Sequence, residues 1–318
     1  MIETSYPGIS WLPKLTPLEI NTEPENRPEV SIYELLRQQS LFVGKLWPDF
    51  SGTLLFDLKP LIKDLFVPSV PSEVPANQTN YVSLKMRSDD DAADKYVYAD
   101  VNLFSEDSLS RMSDADELTV PEDYILPIAY PDDDAIMSAF IETRSGKIDI
   151  KDSIVFGSGD CTGQYAMLKP ISALHLAGDD TFRVRISTDN APDLRSPVYH
   201  ITSRPMEQYL FYNRLGGWDN IAMGGRRTVT PEMDFSNHLE NGLRKQTQCK
   251  VTRKYMQNSG WMTLASAEAL VSLLSSPAVY HLVGGVWRQI VVVSTDIVIE
   301  DDASQHSLSF TYSYSEED

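Results

Sequence analysis

Residues 246–314 constrain the fold most tightly, because their polar and apolar residues change period twice within seventy positions. From Gln246 to Met256 the spacing is two: Cys249, Val251 and Tyr255 share one face, and Gln248, Lys250, Thr252 and Lys254 the other. That period predicts a half-buried strand. From Leu264 to Ser276 it becomes helical, with Leu264, Ala267, Leu270, Val271 and Leu274 on one stripe and Glu268 and Ser272 pointing away. Thr263 is placed to cap the helix start, and Pro277 marks its end. Burial of Leu270, Val271 and Leu274 should each contribute about 1.5–3 kcal/mol. Strand spacing returns over Val286–Val293, Ile297–Ile299 and His306–Tyr314. In the last of these Leu308, Phe310, Tyr312 and Tyr314 point in, while the serines and Thr311 point out. One helix laid on an antiparallel sheet buries both apolar faces. No residue in this unit is arranged for chemistry.

The rest of the chain extends the β pattern. Val82, Leu84 and Met86 alternate with polar neighbours, as do Val97, Ala99, Val101 and Leu103, and Phe182, Val184 and Ile186. Further strand signals lie around Tyr124–Tyr130, Ser138–Thr143, Ser153–Phe156 and Val198–Thr202. Short strands without helices between them predict antiparallel sandwiches. Leu54, Phe56 and Leu58 alternate after the turn-rich Pro48–Gly52, and Pro60 opens a short helix carrying Leu61, Ile62, Leu65 and Phe66. Ile32–Arg37 fits either one helical turn or a strand entry. The first 40 residues carry Pro7, Pro13, Pro17, Pro24 and Pro28, a density that forbids a long helix and suits an extended arm. The expected fold is therefore mainly β, built of antiparallel β-sandwich domains, the C-terminal one with a single flanking α-helix. The expected division is an arm at 1–40, an acidic β-sandwich region at 41–200 in one domain or two small ones, and a sandwich with its helix at 201–318.

Charge limits the partners. With 318 residues, a net charge of −19 and 42% hydrophobic residues, the chain can build real cores but is repelled by nucleic acid and by anionic membranes. It has no apolar run near the roughly 20 residues of a membrane span. Met1–Gly8 lacks the basic start and apolar core of a secretory leader. Its two cysteines, Cys161 and Cys249, form no disulfide framework and are expected as reduced thiols, with a bridge between them left open. Residues 89–134 hold fifteen acids against Lys95 and Arg111, a local charge of −13. Asp89–Asp91 and Asp132–Asp134 are dense enough to invite calcium, but the spacing lacks the alternating ligands and central glycine of a built calcium loop, so solvated loops are expected.

Catalytic patterns fail on spacing. Gly159-Asp160-Cys161-Thr162-Gly163 has the glycines of a nucleophile elbow. However, an elbow is followed by a helix, and Gln164–Pro170 has the pattern of a strand ended by proline. His175, His200, His238, His281 and His306 are scattered, with none before Cys161. Gly157, Gly159 and Gly163 have the wrong spacing for a dinucleotide site, and no phosphate loop or zinc pattern occurs. The expectation is a protein that is not an enzyme and needs no cofactor and no metal. The strongest hairpin signal is Tyr209–Met223, where Gly216-Gly217 supplies a tight turn between aromatic segments. Gly216, Gly217 and Trp218 there, and Trp261 before the C-terminal helix, are the candidate contact residues. Trp218 fits an exposed sugar platform or a core or subunit contact.

Several of these stretches carry a resemblance. Tyr209–Asp219, Asn258–Leu264 with Leu273–Tyr280, Trp287–Asp296 and Trp47–Asp57 resemble segments of tail-associated structural proteins of bacteriophages and prophages. The likeness covers about two thirds of the chain as recurring patterns. The order of elements over 246–314 is also similar to the ring-forming domain of distal tail and tail-tube proteins. The resemblance implies a β-sandwich with a flanking helix, assembled with itself into a ring that is often hexameric. Other tail proteins would be its partners and the virion tail its place, after synthesis in the bacterial cytoplasm. The long acidic middle departs from a minimal tube protein and points to a tail-tip component or related injection apparatus. The competing class is a carbohydrate-binding β-sandwich module, with five tryptophans and acid-rich loops.

Overall fold

A computed structural model describes residues 2, 6, 9–11, 15–63, 65, 70–72, 76–78, 81–89, 96–102, 112–113, 115–131, 136–154, 164–176, 178–188, 193–213, 217–240, 243–296 and 306–316. The described chain is mainly β, in several largely antiparallel sheets. Two pairings are parallel: Ile9–Trp11 with Val97–Asn102, and Glu117–Pro121 with Val198–Thr202.

The alternations found in the sequence account for the cores. Val82, Leu84 and Met86 on Tyr81–Ser88, with Ala99 and Val101 on Val97–Asn102, are fully buried in a first core. Ile2, Leu15, Leu18, Ile20, Val30 and Ile32 complete that core. The described part of the first forty residues, from Leu15 on, is thus folded in and not held out as an arm. Pro24 and Pro28 separate two short strands, Leu18–Asn21 and Glu29–Glu34, instead of extending the chain. Ile32–Glu34 end the second of these strands and Leu35–Arg37 turn, so the stretch is a strand exit and neither a helical turn nor a strand entry. The buried carboxylate of Glu34 ends it by accepting from the backbone N–H groups of Leu36 and Arg37. The short helix at Pro60 is present as Lys59–Lys63, with Leu58 and Ile62 buried.

A second, larger core runs without a break from Met112 to Tyr312. It joins Phe182, Val184 and Ile186 to Tyr209, Leu270 and Phe310, so no gap between cores falls at the expected boundary near residue 200. A smaller cluster around Leu168, Leu210 and Trp218 covers the opposite face of the same hairpin. Of the strand expected over Ser153–Phe156, the described residues Ser153 and Ile154 lie instead in the helical turn Lys151–Ile154, which starts where the Asp149 carboxylate accepts from the Lys151 N–H at 2.8 Å.

The C-terminal sheet has seven strands. From one edge of the sheet to the other these are Trp218–Met223, Glu207–Tyr212, Val279–Val283, Val286–Asp296, His306–Tyr314, Leu243–Met262 and Arg227–Glu240. His306–Tyr314 shows the alternation expected of it, with Leu308, Phe310 and Tyr312 buried. The helix spans Leu264–Leu274, and the Thr263 hydroxyl accepts from the Ser266 N–H at 3.4 Å. Its inward stripe is rotated from the expected one. Ala267, Leu270 and Leu273 are buried with Ser266 and Ser272, while Val271 is 44% exposed. Ile297–Ile299, Gly157–Gly163 with Cys161, and Asp132–Asp134 lie outside the described residues.

Candidate functional site

Two features of the C-terminal sheet stand out from its packed body. The first is a ribbon. Arg227–Glu240 pairs antiparallel with Leu243–Met262 along its whole length, from Arg227↔Gln257 to Glu240↔Leu243. His306–Tyr314 supports the ribbon only from Tyr255 onward. Beyond that point, among the described residues, two strands stand without a third, and Pro231–Ser236 are all exposed. Register sorts the side chains by face. Val229, Pro231, Met233 and Phe235 lie opposite Tyr255, Arg253, Val251 and Cys249, and opposed residues share a face. Val229, Met233, Phe235 and Val251 are 50%, 52%, 53% and 49% exposed. The other face is polar and includes a Lys254–Glu232 ion pair at 2.8 Å. Pro231 is tolerated mid-strand because this is an edge, and its missing N–H faces away from the partner strand.

Sequence reasoning found the even face of Gln246–Met256 but missed Arg227–Glu240 altogether. The signal was present in the alternation of Val229, Pro231, Met233 and Phe235, which the proline disguises.

A polar cluster locks the root of the ribbon. His281 is fully buried on Val279–Val283. Its Nε2 lies 2.7 Å from the Glu207 carboxylate and its Nδ1 2.8 Å from the Tyr314 hydroxyl. A carboxylate can only accept, so Nε2–H donates to Glu207, and Nδ1 pairs with the Tyr314 hydroxyl. The His281 ring stacks on Tyr209 with centroids 4.6 Å apart, and Tyr209 donates to Gln257 at 3.1 Å. Arg227, the first residue of the ribbon, sits 3.4 Å from Glu207. Burial pushes the Tyr209 and Tyr312 hydroxyls well above the usual tyrosine range, so both are neutral donors. The His281 hydrogen bond, helped by Arg227, holds Glu207 below the usual glutamate range. A carboxylate with a lowered folded pKa stabilises the fold above the ordinary glutamate value of about 4.3, and that contribution is lost as pH falls through the lowered value. Glu207→Gln should therefore flatten the acid limb of a melting-temperature profile against pH; an unchanged acid limb would exclude Glu207 as its source.

The second feature is Trp261. The ladder between Leu243–Met262 and His306–Tyr314 breaks register between Asn258 and Trp261. There the Asn258 side chain accepts from the Gly260 N–H at 2.8 Å, and the Ser259 hydroxyl accepts from the Leu308 N–H at 2.9 Å. Gly260 has φ +76, and Gly225 presses against the same bend. A Cβ on Gly225 would lie 2.3 Å from the Asn258 carbonyl oxygen, so only glycine fits. The irregularity re-aims Trp261 out of the sheet, where it is 75% exposed. Beside it lies a groove of about 180 Å³ whose walls include Leu118, Thr119, Met206, Ile221, Met262 and Ser266. Gly225→Ala should lower stability by about 1–3 kcal/mol through this clash, measured by urea unfolding; a variant as stable as the parent would mean the bend is not so tightly closed.

The other candidate contact residues fare differently. Trp218 is 1% exposed and packs edge-on against Tyr212 at 5.4 Å, so it serves the core, and its reading as an exposed sugar platform fails. Gly217 closes the hairpin by donating to Asn213 Oδ1 at 2.9 Å, and Gly216 lies outside the described residues. The hairpin itself is present, Glu207–Tyr212 against Trp218–Met223.

No family model matches the chain, and no curated protein does. Among solved structures, SGBP-B of the Bacteroides ovatus mixed-linkage glucan utilization locus, in complex with a mixed-linkage heptasaccharide, aligns at 7% identity over 78% of this chain and 69% of that one, with a TM-score of 0.18. The extracellular cadherin domains 1–4 of protocadherin gamma B7 align at 8% identity over 81% and 72%, with a TM-score of 0.12. Likenesses at those TM-scores fix neither a shared fold nor a shared ligand.

Proposed function

We propose that this chain is a structural subunit that works by assembly, in the manner of the phage tail-associated proteins its sequence resembles. On this reading it is made in the bacterial cytoplasm, takes its place in a virion tail tip, and contacts copies of itself in a ring and neighbouring tail proteins. It turns over no substrate. The observation that carries the reading is the two-stranded ribbon. Two strands alone are marginal in water, and a row of half-exposed apolar side chains on one of their faces is the mark of a surface meant to be covered. Light scattering on the full chain should give a mass several times 35.8 kDa. A single-chain mass up to about 100 μM, where contacts of even modest affinity are filled, would contradict it.

Trp261 favours one second reading, a carbohydrate-binding module. Its exposed ring stands beside Thr119 and Ser266 at the groove, an amphipathic surface suited to a sugar face. A glycan array probed with the parent and with Trp261→Ala separates the two. Specific signal lost in the variant supports the module, and none in the parent removes it.

A further inference from the structure

The ribbon and the Trp261 groove lie at different positions along the strand Leu243–Met262. Residues 226–256 hold seven Arg or Lys against three Asp or Glu, a net +4, which leaves −23 on the remainder. The lining of the groove carries no charge, but acids flank one of its walls. One wall is the edge strand Glu117–Pro121, and Asp116, Glu117, Glu122 and Asp123 bracket it, all exposed, with no basic residue among positions 116–123. Leu118, Met206, Ile221 and Met262 give the groove apolar wall beside Trp261, and Thr119, Ser259, Thr263 and Ser266 give it polar wall. The ribbon carries Met233, Phe235 and Val251 on one face, with Arg253 on that same face.

Geometry forbids the match in cis. Phe235 lies opposite Cys249, and Cys249 and Trp261 are twelve positions apart on the continuous strand Leu243–Met262. At about 3.3 Å per residue that is about 40 Å. The groove sits at the root of the strand and the apolar tip points away from it. Pro231 also blunts the free edge, so the contact runs through the apolar face and not by adding a strand.

We propose that the ribbon of one copy docks, by its apolar face, into the Trp261 groove of a second copy, with Arg253 toward the acids that flank Glu117–Pro121. The proposal rests on the assembly reading and names the two surfaces that carry it. The contact is head-to-tail: each copy offers one ribbon and one groove, so it propagates and closes into a ring when the rotation allows.

The test uses the full chain in sedimentation velocity. Phe235→Glu spoils the ribbon and leaves the groove. Trp261→Arg sets a positive charge in the groove against a basic ribbon and leaves the ribbon. Both residues are exposed, and thermal melting checks that both variants fold as the parent does. The parent should assemble at about 50 mM salt and more weakly at about 500 mM, where the Debye length falls to a few ångströms. Each variant alone should associate at least about 30-fold more weakly, the loss expected of a central contact. Mixed in equal amounts they should form a heterodimer and stop there, since one good ribbon meets one good groove. Parent-like assembly of either variant alone, or no heterodimer in the mixture, overturns the proposal while leaving self-assembly intact. A parent that stays monomeric at both salts overturns the proposal and the assembly reading together. Retarded migration of duplex DNA that Phe235→Glu abolishes and Trp261→Arg keeps would mean that the ribbon's partner is nucleic acid, and overturns it too.

Discussion

Leu270→Asp should leave the full chain without a cooperative melt and largely insoluble. Leu270 is fully buried at the centre of the helix Leu264–Leu274, in the core that also holds Phe182, Tyr209 and Phe310. Removing a buried leucine side chain alone costs about 3–5 kcal/mol. An aspartate there adds either a desolvated charge or a protonated acid with no partner, at about 2 kcal/mol or more. The sum rivals the whole stability of an ordinary domain, about 5–15 kcal/mol. Val271 is the internal control. One position further on, it is 44% exposed, and Val271→Asp should change stability by no more than about 1 kcal/mol, as a surface substitution does. If the two variants melt alike, the helix is seated in a different rotation from the one described. Because the core runs from Met112 to Tyr312, the experiment belongs on the full chain; a fragment beginning near residue 200 would expose half of that core.

His281→Ala should be the second most damaging change, at about 3–4 kcal/mol, because it combines a cavity with a broken buried polar network. The imidazole stacks on Tyr209 and joins Glu207, Tyr312 and Tyr314 across three strands. Without it, two tyrosine hydroxyls lose a hydrogen-bond partner in a dry site, and Glu207 loses its shortest hydrogen bond. The loss should concentrate at the ribbon. Amide exchange along Arg227–Glu240 should accelerate more than exchange along Val198–Thr202, which belongs to a different sheet. Uniform acceleration would show that the cluster supports the whole sheet and not the ribbon in particular.

The parts of this fold legible in the sequence are those where burial alone decides the pattern. His306–Tyr314 could be assigned residue by residue because one face is buried from end to end. The Thr263 cap and the hairpin at Gly217 were legible because their chemistry is local. Misreadings came where a long-range partner decides. Val271 and Leu273 are equally apolar, and only the sheet beneath the helix selects Leu273. Prolines near Leu18 and Val30 imply an arm until the buried alternation of Leu18 with Ile20, and of Val30 with Ile32, is weighed against them. Trp218 resembles a platform in sequence because nothing local shows Tyr212 closing over it. Of the candidate site, Trp261 was found, whereas the ribbon opposite Val251 was hidden by Pro231.

The central claim, that this chain exists to assemble with copies of itself, is met most directly by negative-stain electron microscopy of the purified full-length protein at low salt. The account predicts closed rings of uniform subunit number, absent from the Phe235→Glu variant. A field containing only particles of single-chain size, from protein that still melts cooperatively, would contradict it.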